Sequence, residues 1–373
     1  MAEENNQQNK QNNQKNDEKI EHANKPSLSE NKKNQKIVLT KNFFEQNIGY
    51  FLIAAAFVLF FLTKNAVFGF VVLLGFIYQL IIEIKTEVKE KGWKRELIET
   101  LAIIAGIFVF LKIFGFIMNT ENPISAIATC SMAPNMMAGD FVLVKKEMPN
   151  TQYIEMTEKQ INAIENSIKL INIKTGEETP LNYSILTECT EGCLCHNCSS
   201  LCKKHENICK DFIANPENYR ERRGELEFGF TKCYYTDEKG QPIKQHKNMV
   251  CSNKIFYNST EFNFSEQKGT VSYKAKKDDI FATVPGDIIH RVILGIKTEN
   301  NTYFITKGDH NDRFDIQIDS IGIGAKNSIV SWNDISGTMQ ARLPYLGYLK
   351  LFLSLRFEYQ SDCDTKLVYQ QNN

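Results

Sequence analysis

Apolar and polar positions along this chain fall into blocks. The first forty residues are rich in Asn, Gln and Lys and nearly free of large apolar side chains. Such a stretch cannot bury enough surface to offset its ordering entropy, so residues 1–42 read as a disordered polar tail. Three apolar runs follow, at 48–63, 66–82 and 97–118, separated by Lys64-Asn65 and by a polar loop over 83–96. A bilayer core of ~30 Å takes ~20 helical residues, ~17 at the short end. The first two runs are marginal singly and read as a tight helical hairpin. The third is long enough, and its Glu99 and Lys112 sit where they can snorkel to an interface. The alternative, buried helices of a soluble core, rarely needs three such runs in series.

Basic residues in the flanking loops set the orientation. Lys32, Lys33, Lys36 and Lys41 precede the first run; Lys85, Lys89, Lys91, Lys94 and Arg95 lie between the second and third. The first turn holds Lys64 alone. This pattern predicts a multi-pass plasma-membrane protein with a cytoplasmic N-terminus. Three crossings then put everything after Met118 outside.

Beyond Met118 the pattern changes to short β-like runs punctuated by Gly, Asn and Asp, at 141–145, 269–273, 291–296, 302–306 and 328–332. This predicts a mainly-β unit. One helical pattern interrupts it at 157–170, with Ile161, Ile164, Ile168 and Leu170 on one face. The apolar segment 346–355 is too short to span a bilayer and reads as a final strand or an interfacial segment. Residues 361–373 read as a frayed polar tail.

With 373 residues, the chain allows one or two domains. Its 44 basic and 44 acidic residues balance, so no basic excess points to nucleic acid. Eight of ten cysteines crowd between 188 and 252. In an extracytoplasmic segment this favours disulfides. Zinc is the competing reading, since His196 and His205 sit among them and Cys195, Cys198 and Cys202 have ligand-like spacing. Cys130 reads as a small buried residue. Asn-x-Ser/Thr triplets such as Asn182-Tyr183-Ser184 and Asn258-Ser259-Thr260 arise readily by chance in so Asn-rich a chain.

Three segments carry candidate chemistry. Ser131 lies in Thr-Cys-Ser-Met-Ala-Pro, ahead of Gly139-Asp140 and a β-like run. A serine hydroxyl needs a base to become a nucleophile. His290, in Pro-Gly-Asp-Ile-Ile-His-Arg-Val, supplies an imidazole that titrates near neutrality. Asp309, Asp312 and Asp315, in Lys-Gly-Asp-His-Asn-Asp-Arg-Phe-Asp, offer carboxylates to orient that imidazole. Each piece alone is more often a turn, strand or cap residue.

In this order, after a membrane helix, the segments resemble the archaeal and endoplasmic-reticulum type of signal peptidase I, serine peptidase family S26. The resemblance covers 124–146 and 278–315, with a further stretch at 337–348 that ends in a Pro-x-x-Gly turn. It implies Ser131 as nucleophile, His290 as general base and Asp309 and Asp315 as acidic partners, with the Ser131 N–H as an oxyanion donor. It implies no cofactor or metal. The substrates would be preprotein signal peptides with small residues one and three positions before the cut. The lipid bilayer is the other implied partner, and accessory subunits are allowed.

The expected architecture is therefore membrane-anchored α plus mainly-β. Three transmembrane helices (43–118) precede a β-rich peptidase domain (119–146 and 278–360), split by a cysteine-rich insert (147–277). The chain departs from the family in having three membrane runs before the serine, a much longer insert, and Asp278-Asp279-Ile280 where Gly-Asp-Ile is common. Two other functions stay open: a processing peptidase for a narrow set of surface precursors, and an inactive membrane-anchored adhesion protein on a peptidase scaffold.

Overall fold

The computed structural model describes residues 48–63, 65–194, 199–243, 249–266, 269–283, 286–321, 324–356 and 361–370. The polar tail expected at 1–42 lies outside them, as do Cys195, His196 and Cys198. The chain divides into two compact units, 1–93 and 94–373.

The first unit holds two helices, α1 (Ile48–Thr63) and α2 (Ala66–Lys91). Asn65 starts α2 by accepting the Val67 N–H on its side chain at 3.0 Å. A side chain added at Gly49 would collide with Gln79, and one at Gly75 with Ile53. The two helices therefore pack antiparallel through small residues, as expected of a hairpin. The polar loop expected at 83–96 is instead mostly helical. α2 continues through it to Lys91, because Glu and Lys are good helix formers. Gly92, at φ +82°, ends the helix, and its N–H donates to Val88 O. α2 is long and apolar enough to cross a membrane; α1 is shorter.

Helix α3 (Trp93–Ile117), all but its first residue in the second unit, is also long and apolar enough to cross a membrane. None of its residues is buried, and its exposed surface runs from Leu97 through Ile107 and Phe110 to Ile117. That much bare apolar surface is compatible with anchoring in lipid.

After α3 come strands β1 (Ile124–Ala126), β2 (Phe141–Lys145) and β3 (Tyr153–Glu155). Helix α4 (Glu158–Asn166) precedes β4 (Ile168–Asn172) and β5 (Glu178–Leu181). Helices α5 (Ile185–Leu194) and α6 (Ser199–Ala214) follow. Then come β6 (Tyr219–Arg223), β7 (Leu226–Thr236), β8 (Met249–Tyr257), β9 (Thr260–Asn263) and β10 (Thr270–Tyr273). The chain closes with β11 (Ile288–Lys297), β12 (Thr302–Lys307), β13 (Val330–Ser331), β14 (Ile335–Leu343), helix α7 (Gly347–Leu353) and β15 (Lys366–Tyr369).

The strands form two sheets. The first runs β1-β2-β14-β10-β11-β12-β13, with β3 parallel to β11. The second runs β5-β4-β6-β7-β8-β9, with β15 on β7. Both ends of the 147–277 span, β3 and β10, are strands of the first sheet. The sheets also share a core. Phe228, Ile255 and Phe262 from the second meet Ile293, Leu294 and Ile305 from the first, with Ile161 and Ile164 of α4 between them.

Three expectations change here. The helix expected over 157–170 stops at Asn166. Thr157 and Gln160 cap its start reciprocally, but Ile168 and Leu170 belong to β4. There they pair with β5 and β6, and both side chains are buried. The segment at 346–355 is not a strand but holds helix α7, with Tyr348, Leu351 and Phe352 buried and Leu346, Leu349 and Leu353 exposed. The tail expected to fray carries β15, paired Lys366 to Thr236 through Tyr369 to Cys233.

Among the described residues three disulfides form: Cys130–Cys363, Cys189–Cys209 and Cys233–Cys251. Cys130 is thus one half of a bridge spanning 233 residues, not merely a small buried side chain. Among the described residues no cluster of three or more potential metal ligands occurs.

Candidate functional site

The site is built on β11. His290 sits in mid-strand opposite Val271 and is buried. Its Nδ1 lies 2.7 Å from Asp315 Oδ2. A carboxylate only accepts, so Nδ1 is the donor, and in the neutral ring this tautomer leaves Nε2 as the acceptor. The same Asp315 oxygen accepts from the Thr306 hydroxyl at 2.6 Å and the Tyr273 hydroxyl at 3.0 Å. Burial and the Asp315 charge hold the Tyr273 phenol well above its ordinary pKa, so it stays a donor. Asp315 is thus held at one oxygen by three donors from β10, β11 and β12.

Asp309, six residues earlier, does different work. It does not touch His290. Its two oxygens take Arg291 in a bidentate pair, Nε to Oδ1 at 2.7 Å and Nη2 to Oδ2 at 2.6 Å. Asn135 Nδ2 adds a bond to Oδ2 at 2.6 Å. Asp309 therefore ties the segment that carries Ser131 to the strand that carries His290.

Ser131 lies in an irregular loop between β1 and β2. The loop is pinned at its base where Ile127 and Asp140 pair, Ile127 N–H to Asp140 O at 2.9 Å. The buried Asp140 carboxylate accepts from the Met137 N–H at 2.8 Å and pairs with Arg342 at 2.6 Å. The adjoining Gly139 takes φ +89° with Tyr348 packed where a Cβ would stand. The Gly-Asp and Pro-x-x-Gly motifs legible in the sequence are thus two halves of one interlock. At the loop's tip, the His310 N–H donates to Ser131 O at 2.8 Å. A Cβ on Gly308 would fall 2.5 Å from that same carbonyl, so only glycine lets the turn approach.

Ser131 and His290 both line one cavity of about 710 Å³. Ser131 Oγ rests 3.3 Å from Thr129 Oγ1, and among the described residues it makes no hydrogen bond to His290. Its backbone N–H has no hydrogen-bond partner among those residues either, so it is available to a ligand. One wall of the cavity is β1 and the extended segment after it; another is 286–290. Among the described residues β1 pairs on one side only, with β2. The first residues of β11 pair with β10, while the β12 pairing starts at Arg291. Both walls therefore offer unpaired strand edges, which an extended peptide can complete.

The four residues singled out in the sequence gather in this one region, Ser131 and His290 on the cavity, Asp315 behind His290 and Asp309 behind Arg291. Sequence reasoning missed Tyr273 and Thr306, since a lone Tyr and Thr in strands carry no signal. It also missed Asn135. Arg291 was visible as the residue after His290 but had no assigned partner.

No family model matches the chain, and no solved structure matches it. The chain is similar to an uncharacterised protein of Methanocaldococcus jannaschii, 38% identical over 82 residues, which are 22% of this chain and 38% of that protein. It is also similar to the signal peptidase complex catalytic subunit of Schizosaccharomyces pombe, 36% identical over 72 residues, 19% of this chain and 35% of that subunit. The chain thus covers little more than a third of the length of either relative. This supports a signal-peptidase-like relationship.

Proposed function

We propose that this chain is a membrane-bound serine endopeptidase that cleaves signal peptides from exported preproteins. The observation that carries the reading is the His290–Asp315 pair at 2.7 Å, with His290 and Ser131 on the wall of one groove. Partial similarity to a signal peptidase catalytic subunit adds to it.

In this reading an extended substrate lies between the free edges of β1 and β11. Small residues one and three positions before the cut fit beside Ser131. The Ser131 hydroxyl turns from Thr129 toward His290, as catalytic hydrogen bonds often close only on substrate binding. Nε2 takes the hydroxyl proton as Oγ attacks the scissile carbonyl. The Ser131 N–H faces the developing oxyanion. Collapse of the tetrahedral intermediate breaks the C–N bond, and the imidazolium gives its proton to the leaving amine. Water, deprotonated by the same imidazole, then releases the acyl group. Asp315 holds the tautomer and stabilises the imidazolium. Asp309 keeps loop and strand in register.

The proposed topology has α1, α2 and α3 all crossing, with a cytoplasmic N-terminus and the β-rich unit outside. At ~1.5 Å per residue α1 is ~24 Å long, so its crossing requires local bilayer thinning. Disulfides in the β-rich unit fit an oxidising compartment.

A narrower reading, a processing peptidase for few precursors, draws on one contact. Arg313, on the cavity wall, bonds Thr187 of α5 at 2.8 Å, so the cysteine-rich region reaches the groove. The test is cleavage of a model preprotein in detergent by wild type, Ser131→Ala and His290→Ala. Wild-type cleavage after a small-x-small site, lost in both variants, is expected. A folded, inserted wild type that cuts no preprotein would overturn the general reading, leaving the narrow peptidase or the inactive binding scaffold.

A further inference from the structure

The C-terminal segment 361–370 reaches the candidate catalytic centre at three points. Cys363 is disulfide-bonded to Cys130, the residue before Ser131. Thr365 Oγ1 lies 2.9 Å from His310 Nε2, and His310 is the residue whose N–H holds the Ser131 carbonyl. Tyr369 Oη lies 2.9 Å from the buried Lys307 Nζ, two residues before Asp309. The same segment is also the last strand of the second sheet, β15 on β7. Tyr235 of β7 reinforces the join, its hydroxyl donating to His310 O at 2.9 Å.

The placement of these tethers distinguishes them from ordinary staples. Cys189–Cys209 links two helices and Cys233–Cys251 two paired strands, each inside an element that packing already holds. Cys130 lies in a loop that has no ladder of its own. A crosslink there restrains the backbone immediately beside the nucleophile. Near-attack geometry is sensitive on that scale, since a ~1 Å misplacement can cost ~10²-fold in rate.

We propose that the C-terminal segment is a positioning strap for the nucleophile loop, acting through Cys363, Thr365 and Tyr369. The strap gives the second sheet a role in the reaction proposed above, and it rests on that peptidase reading. The substrate never touches it. It fixes Ser131 relative to the Lys-Gly-Asp turn and, through Asp309 and Arg291, relative to β11.

The test uses the full chain in detergent and compares wild type with Cys130→Ala/Cys363→Ala, with Thr365→Val and with Cys189→Ala/Cys209→Ala. Two readouts are taken: kcat and KM on a model preprotein, and amide exchange resolved by segment. Loss of the Cys130–Cys363 bridge should lower kcat ~10²-fold with KM within about twofold, and Thr365→Val should lower it several-fold in the same sense. Exchange should rise at 127–137 and 307–313 while β7 and β8 stay protected. The Cys189/Cys209 variant should keep wild-type kcat. An unchanged kcat in the Cys130/Cys363 variant of an active enzyme, or exchange that rises across both sheets together, overturns the strap. If wild type cuts nothing, it is the peptidase reading that fails, and exchange alone then decides: unchanged exchange at 127–137 sinks the strap too.

Discussion

The two sheets of the β-rich unit treat buried polar groups differently. In the first, the buried His290, Asp315 and Asp309 and the half-buried Ser131 converge on one groove or the groups behind it. In the second, Arg223 and Glu221 are as deeply buried, but they close on each other. Arg223 Nε meets Glu221 Oε1 at 2.7 Å, and Glu221 Oε2 takes the Ser184 hydroxyl at 2.7 Å. Asp319 completes the group by accepting the Ser184 N–H at 2.7 Å. Burial raises its carboxyl above the usual range. The first arrangement sets an imidazole against a carboxylate beside Ser131; the second sets its charges against one another, although Arg223 Nη2 and Asp319 Oδ1 make no hydrogen bond among the described residues and Asp319 also lines the groove. Burial of charge alone, or an unsatisfied atom on a groove, therefore does not mark a catalytic site; what distinguishes the first cluster is an imidazole backed by a carboxylate on the same groove as a serine.

The sharpest break between the sheets is Asp315→Asn. An amide at this position can donate to Nδ1 and stabilise the wrong tautomer, leaving Nε2 protonated. A ~10⁴-fold fall in kcat is expected, with a lowered thermal midpoint as well, because the amide nitrogen then stands where Oδ2 accepts from Tyr273 and Thr306. Steady-state cleavage and a melting curve check both halves. The counterpart in the second sheet is Arg223→Met. It strands Glu221 and Asp319 without a cation and should destabilise by ~3–5 kcal/mol, read from denaturant midpoints. The surviving folded fraction should cleave at the wild-type rate. A slowed folded fraction would mean that the second sheet's polar cluster also serves the groove.

How far the sequence disclosed these two regions follows the range of their contacts. The apolar runs show in composition, so α1, α2 and α3 are legible, although α2 extends past its apolar stretch because Glu and Lys also favour helix. Ser131, His290 and Asp315 each sit in a short contiguous motif, and so could be picked out. Asp309 and Asp315 could not be told apart, since both lie in one acidic turn and only the fold reveals which faces His290. The Cys130–Cys363 bridge and the β15–β7 pairing link segments more than a hundred residues apart. No local pattern records such a partner, so a structured C-terminus read as a frayed tail. Ile168 and Leu170 show the same effect at short range, where strand neighbours overrode a helical period.

Lys307 lies where the two sheets meet. It is fully buried, donates to Ser252 O of β8 and Tyr369 of β15, and faces the Phe264 and Phe314 rings. Burial lowers its pKa from 10.5 to about 7, against the pull of Asp312, Asp315 and Asp309. The unfolded chain then binds more protons than the folded one between these values. Stability should rise as pH climbs from about 7 toward 10.5 and fall as pH drops through about 7. Lys307→Met should flatten that rise, seen in denaturant midpoints between pH 7 and 10. A slope unchanged by the substitution would assign it to other groups.

The smallest effect is expected on the outer face of the second sheet. Glu178 bonds Lys169 at 2.9 Å and Arg222 at 2.6 Å, all three being substantially exposed. Lys169 first, then Arg222, holds the Glu178 carboxyl below its usual value. Its contribution is therefore complete above the ordinary carboxylate range and disappears as pH falls through the lowered value. Solvent and salt screen such pairs, and holding two long side chains in place offsets part of the attraction. Glu178→Gln should leave the neutral-pH denaturant midpoint and kcat unchanged, with a slight shift of the acid limb at low salt that disappears in high salt. A large, salt-resistant loss would mean that the edge of β5 is shielded from water by a further contact. The second sheet would then be more than a scaffold on that face.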